Sequence, residues 1–115
     1  MVDFVKKMWR KNSSRIYLER FAKQAAESIR NEGRVLDAGA GDCPYRDYFS
    51  HAHYDSTDLC EVEKVYGKLS FICDIKDLPV RADCYDMVFC SQALEHMPDP
   101  QSVIFEFGRV LKPGG

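Results

Sequence analysis

A chain of 115 residues, 45% of them apolar, has room for one domain with a modest core. Its 18 acidic and 16 basic residues leave a net charge of −2, which excludes a phosphate-backbone binder of nucleic acid and a cationic membrane-surface protein. No apolar run approaches the roughly 20 residues of a spanning helix, no signal-peptide core precedes a cleavage site, and the five cysteines (43, 60, 73, 84 and 90) form no close pair, so reduced thiols in a cytoplasmic setting are expected.

Residues 1–33 read as N-terminal helices. Phe4, Val5, Met8 and Trp9 share one side of a first helix over 4–11, with Lys6, Lys7, Arg10 and Lys11 on a solvated face. Ser13 or Ser14 caps a second helix, in which Ile16, Phe21, Ala22, Ala25, Ala26 and Ile29 recur at helical spacing. Gly33 is placed to end it as a C′ glycine.

Four short runs follow: RVLDA (34–38), HYDSTDL (53–59), KLSFICDI (68–75) and YDMVFCSQ (85–92). Runs that are largely apolar predict strands buried on both faces, as in parallel sheets. A helix-sized piece, 45–51, joins the first two; a short, poorly patterned piece, 60–67, joins the next two; KDLPVRADC, with Pro79, loops into the fourth. His51, His53 and Cys60 read as strand and loop residues, because no fourth ligand stands at a zinc-like spacing. The last segment predicts a helix with Asp99 as N-cap and Pro100 at its first position. Val103, Ile104, Phe107, Val110 and Leu111 form its apolar stripe; Arg109 and Lys112 suit its negative end, and Pro113-Gly114-Gly115 stops it.

Strands alternating with helices predict a Rossmann-like, three-layer α/β/α sandwich around a mostly parallel sheet, over residues 34–115. Ligands of such sheets sit at the carboxyl ends of the strands. Asp37, Asp58, Asp74 and Ser91 would gather there.

The loop DAGAGDCP tells which ligand to expect. Gly39 and Gly41 permit tight turning and close backbone approach. The last glycine of a dinucleotide loop is replaced by Pro44, and Asp37 would set a carboxylate beside a pyrophosphate. A cationic, phosphate-free nucleoside fits better, and S-adenosylmethionine carries an ammonium, a sulfonium, a ribose diol and an adenine. Asp58 can then accept from both ribose hydroxyls, and Asp74 from the adenine amino group with Ile75 against the ring. Each aspartate alone is also an ordinary turn residue; three at successive strand ends, with a glycine loop after the first, favour the ligand.

The segments VLDAGAGD, YDSTDL, CDIKDLPV, YDMVFCSQALEHMPDP and EFGRVLKPGG, in this order over 34–115, resemble class I S-adenosylmethionine-dependent methyltransferases of the type 11 kind. The resemblance implies Asp37, Gly39 and Gly41, with Ala38 between them, at the methionine end. It also implies Asp58, with Leu59, at the ribose, Asp74 and Ile75 at the adenine, and backbone contacts from Ser91 and Gln92. Cys43 departs from it, standing where the family often has a third glycine. Tyr17 and Arg20 can reach the cofactor carboxylate from the preceding helix, where a plain exposed face is the alternative. Glu95 and His96 are candidates for a general base, although the same LEH triplet also reads as a fold feature. No metal is implied.

The family fold has seven strands, so the chain is expected to be an N-terminal portion that stops after the fourth strand and its helix, with activity of its own in question. The open edge of the fourth strand then offers a pairing surface for dimerisation. GDCPYRDYF is similar to methyltransferases of bacterial surface-polysaccharide gene clusters, which suggests a small-molecule or saccharide-type acceptor. Two other readings stand beside methyl transfer: a non-catalytic S-adenosylmethionine-binding module, and an NAD-dependent oxidoreductase, against which Asp37 and Pro44 argue.

Overall fold

The computed structural model describes residues 2–58, 69–91, 93–94 and 97–115. In chain order it contains α1 (Val2–Ser28), β1 (Arg34–Ala38), a 3₁₀ turn (Arg46–Phe49), β2 (His53–Asp58), β3 (Phe71–Ile72), β4 (Met87–Phe89) and α2 (Pro100–Val110). The strands form one parallel sheet in the order β3-β2-β1-β4. β1 is therefore central, and the chain reverses its direction of travel across the sheet between β1 and β4.

Alternation along β1 assigns the two layers. Val35 packs with Ala22 and Ala26 of α1, with Ile29 just beyond it, and with Phe49 and Phe89. Leu36 faces the other way, with Leu78, Tyr85 and Val110 of α2. Ala38 continues that second face with Ile75 and Val103. The expected three-layer Rossmann-like arrangement is present. No helix among the described residues is long and apolar enough to cross a membrane.

The N-terminal region differs from the expected pair of helices. α1 is continuous through Ser13 and Ser14, so neither serine is a cap. Helix-competent residues on both sides let the helix run on, since serine costs only tenths of a kcal/mol in a helix interior (about 0.5). α1 ends at Ser28, and the left-handed residue of the turn is Glu32, at φ 64°, rather than Gly33. Gly33 is needed for space instead: a Cβ there would lie 2.8 Å from Ile29 Cγ1.

The strands are shorter than the apolar runs, and β2 is polar yet interior. Ser56 and Thr57 are fully buried. The Ser56 amide donates to Ser70 Oγ, and Thr57 Oγ1 lies 2.9 Å from Cys73 Sγ. Satisfied polar groups can be buried at small net cost.

α2 begins as expected: Asp99 accepts from the Ser102 amide, and Pro100 occupies the first turn. Its stripe differs. Ile104 and Phe105 are exposed, whereas Glu106 is buried. The Glu106 carboxylate accepts from the Leu78 amide and pairs with Arg109, which donates to the carbonyls of Leu78 and Val80. Arg109 therefore fastens the 78–80 loop to α2 rather than capping the helix. Lys112 lies 3.5 Å from Asp86, and its amide donates to the Tyr85 carbonyl beside β4.

Two loops meet above the centre of the sheet. The Gly39 and Ala40 amides donate to the Thr57 carbonyl, and the Gly41 amide to Asp58 Oδ2 at 2.8 Å. On its other side, a Cβ on Gly39 would lie 2.3 Å from the Cβ of Ala93, in the loop after β4. Gly39 also sits at φ 72°. No larger residue fits without separating the loops.

Three substitutions test this packing by chemical denaturation. Gly39→Ala is expected to cost about 2–4 kcal/mol, from left-handed strain plus overpacking. Gly114→Ala, at φ 83° but in open space, should cost only about 1–2 kcal/mol; equal costs would refute the steric argument. Glu106→Ala should cost about 2–3 kcal/mol by orphaning the Leu78 amide and Arg109. The Arg109 hydrogen bond holds the Glu106 carboxyl below its ordinary value, so this contribution is present at neutral pH and lost as pH falls through that lowered value.

Candidate functional site

The strand order reverses between β1 and β4, and the carboxyl ends of those two strands flank the usual ligand crevice of such a sheet. The loop after β1 lines it. Gly39, Gly41 and Cys43 all adopt positive φ, at 72°, 54° and 55°. The third of these explains why glycine suits position 43. Cys43 adopts the left-handed conformation anyway, at a cost of about 1–2 kcal/mol. Its side chain is buried, and Arg46 Nη2 reaches its Sγ at 3.6 Å.

Asp37 is the penultimate residue of β1, just before this loop. It is 2% exposed, and its carboxylate accepts a hydrogen bond from the Tyr54 hydroxyl. Burial pushes its pKa up to about 6, while the Tyr54 hydrogen bond and the Arg46 charge pull it back, and Asp58 adds to the rise. The ionised form of Asp37 is thus held at the expense of stability. A buried carboxylate kept charged at a strand end, next to turned glycines, is suited to a cationic ligand.

Asp58 stands at the end of β2. Its Oδ2 holds the Gly41 amide, which fixes the carboxylate toward the same loop. A carboxylate has about four acceptor sites, so that bond is compatible with accepting ribose hydroxyls as well. Asp74, after β3, accepts from the Lys76 amide at 3.1 Å and lies 3.8 Å from Lys76 Nζ, the geometry of a turn aspartate. Ile75 is 4% exposed and packs with Ala38 and Val103. It belongs to the core rather than lying open to a ring, because α2 brings Val103 down onto it.

Ser91 is half-buried at the end of β4, beside the Cys90 thiol, which burial pushes up and toward which the Ala93 and Leu94 amides point. Phe21 of α1 stacks on Phe89 at 5.2 Å. Tyr17, one turn nearer the helix N-terminus, therefore lies toward the crevice end of the sheet, and it is 70% exposed. Ala38 is buried beneath the loop. Leu59, Gln92, Glu95 and His96 lie outside the described residues.

Sequence reasoning missed Tyr54 and Arg46. The signal was available in the alternation of β2: Ser56 pairs with Asp37 in register, so Tyr54, two residues earlier, shares that face. A cleft of about 370 Å³ lined by Lys23, Glu27, Tyr48 and His51 lies at the opposite, amino end of the strands.

The comparisons agree with this geometry. A methyltransferase domain matches residues 36–115. The ubiquinone biosynthesis O-methyltransferase of Bordetella avium is 35% identical over 95 residues, covering 71% of this chain and 39% of that protein. The YcgJ protein of Bacillus subtilis superposes with a TM-score of 0.68 at 26% identity, covering 84% of this chain and 46% of that one. The [4+2]-cyclase SpnF shares the fold, with a TM-score of 0.68 at 23% identity over 84% of this chain and 42% of its own. The chain thus spans less than half the length of each of these proteins. The loop of left-handed residues and the two carboxylates beside it fit the cofactor of this family, S-adenosyl-L-methionine. The matched domain covers more than half of the chain, which belongs to the S-adenosylmethionine-dependent methyltransferase family.

Proposed function

We propose that the chain binds S-adenosyl-L-methionine in the crevice between the ends of β1 and β4, for methyl transfer to an oxygen of a small-molecule or saccharide-type acceptor. The observation that carries this reading is the buried Asp37 beside a loop of left-handed residues whose Gly41 amide is held by Asp58. The name of the Bordetella avium relative supports an oxygen acceptor.

When bound, the cofactor supplies a methyl group on a sulfonium, a good leaving group. Asp37 balances the charge of the ammonium. Asp58 keeps its bond to Gly41 and accepts from the ribose hydroxyls, and Asp74 takes the adenine amino group. Gly39 and Gly41 let the backbone approach the methionine portion, Ser91 supplies backbone contacts, and Tyr17 reaches toward the methionine carboxylate. These residues orient the cofactor, and positioning two reactants in line supplies much of the rate enhancement. A hydroxyl acceptor also needs a base, for which Glu95 and His96 remain the candidates.

A second reading, binding without methyl transfer, has a specific observation in its favour: SpnF, of the same fold, bears the name of a cyclase. Calorimetry with S-adenosylmethionine, S-adenosylhomocysteine and NAD, followed by transfer of labelled methyl to acceptor extracts, separates the cases. Binding of both adenosyl ligands with label transfer is expected; binding without transfer favours the second reading, and binding of NAD alone contradicts both.

Asp58→Ala should weaken cofactor binding by about 1–3 kcal/mol, and an unchanged Kd would place the ribose elsewhere. Asp37→Asn should lose affinity while gaining stability. A carboxyl whose folded pKa is raised favours folding below its unfolded pKa and loses that contribution as pH rises through about 6. Removing the charge should therefore add on the order of 1–3 kcal/mol at pH 7.5 and flatten the stability profile between pH 4 and 6, roughly. A destabilised variant with the same pH profile would contradict the assignment.

A further inference from the structure

The Tyr54 ring is held from two sides. Arg46 Cζ lies 5.1 Å from its centroid, and the Phe49 ring packs at 5.8 Å. Its hydroxyl therefore has little freedom, and it donates to Asp37 Oδ2. Arg46 in turn sits against Cys43 Sγ, on the cofactor loop itself. Tyr54, Arg46 and Cys43 thus link β2, the 3₁₀ turn and the loop to one carboxylate.

We propose that Tyr54 is a positioning residue for cofactor binding: its clamped hydroxyl fixes the Asp37 carboxylate in the orientation and the ionised form that receive the ammonium of S-adenosylmethionine. The proposal rests on the cofactor reading above.

The chemistry follows from what faces Asp37. From β2 come the Tyr54 hydroxyl and Asp58, from the 3₁₀ turn Arg46, from the loop Tyr45, and from the segment after β4 the Cys90 thiol. Cys43 faces Tyr54, and Arg15 and Glu19 of α1 face Tyr45. Asp58 and burial disfavour the charge on Asp37; the Tyr54 hydrogen bond and Arg46 favour it. A hydrogen bond to a buried carboxylate stabilises the ionised form selectively. Without the phenol, the acid holds its proton to higher pH, and a neutral carboxyl offers the ammonium no counter-charge. Burial already pushes Asp37 up to about 6, so a further rise carries its titration into the neutral range and leaves less of it ionised there.

The test is Tyr54→Phe, which keeps the ring that Arg46 and Phe49 pack against. Kd for S-adenosylmethionine is measured from pH 6 to 9 in variant and wild type, and their ratio is taken at each pH so that titration of the ligand amine cancels. The expected ratio is roughly tenfold at pH 7, narrowing toward one by pH 9. A ratio that is large and constant with pH indicates a merely structural role and overturns the proposal, as does a ratio of one throughout.

Carboxyl NMR of Asp37 in the ligand-free proteins supplies an independent reading. The titration midpoint should rise in Tyr54→Phe, and by a smaller amount in Arg46→Gln, which serves also if the first variant does not fold. An unmoved midpoint overturns the proposal. If wild type binds no S-adenosylmethionine, the cofactor reading fails, and the NMR midpoints still decide whether Tyr54 governs the carboxylate.

Discussion

The close approach of Gly39 to Ala93 is the constraint on which the site depends. Only a residue without a side chain lets the loop after β1 lie against the loop after β4. Hydrogen bonds from that loop to the Thr57 carbonyl and Asp58 tie it to β2 as well. Three neighbouring strands are thereby joined at their carboxyl ends through one short segment of backbone. The sheet order places this junction where the chain reverses direction, so the crevice and its walls come from the same packing decision.

The groups that suit the crevice to a cation work against the fold. Asp37 is buried, which works against its charged form, and Cys43 takes a conformation that glycine would adopt without strain. Elsewhere the interior polar groups are well paired. Ser56 and Thr57 find partners on the β3 side of the sheet, Tyr85 donates to Asp55, and Glu106 and Arg109 close the 78–80 loop onto α2. A buried carboxylate and a left-handed cysteine beside one strand end, with no unsatisfied buried side-chain polar atom among the described residues, form the pattern expected of a binding site on a supporting scaffold.

Much of this was legible in the sequence because it rests on local signals. The glycines of the loop, the acids at successive strand ends and the Asp99-Pro100 start of α2 announce themselves by residue type and position. What escaped depends on contacts distant in sequence. Helix-competent residues on both sides carried α1 through Ser13 and Ser14, where the residue types suggested a cap. The fate of Ile75 turned on Val103 of α2, and that of Tyr54 on its register with β1. Arg109 looked like a helix-end cation, yet its guanidinium serves carbonyls about 30 residues away. Strand alternation would have exposed the Tyr54 relation; the others needed the tertiary structure.

The central claim is that the cofactor lies at the carboxyl ends of β1 and β4. Amide NMR of labelled protein titrated with S-adenosylhomocysteine tests it most directly, since the ligand carries no methyl group to transfer. The account predicts the largest shifts at Gly39, Ala40, Gly41 and Ala93. Shifts centred instead on Lys23, Tyr48 and His51, in the cleft at the opposite end of the strands, would contradict it.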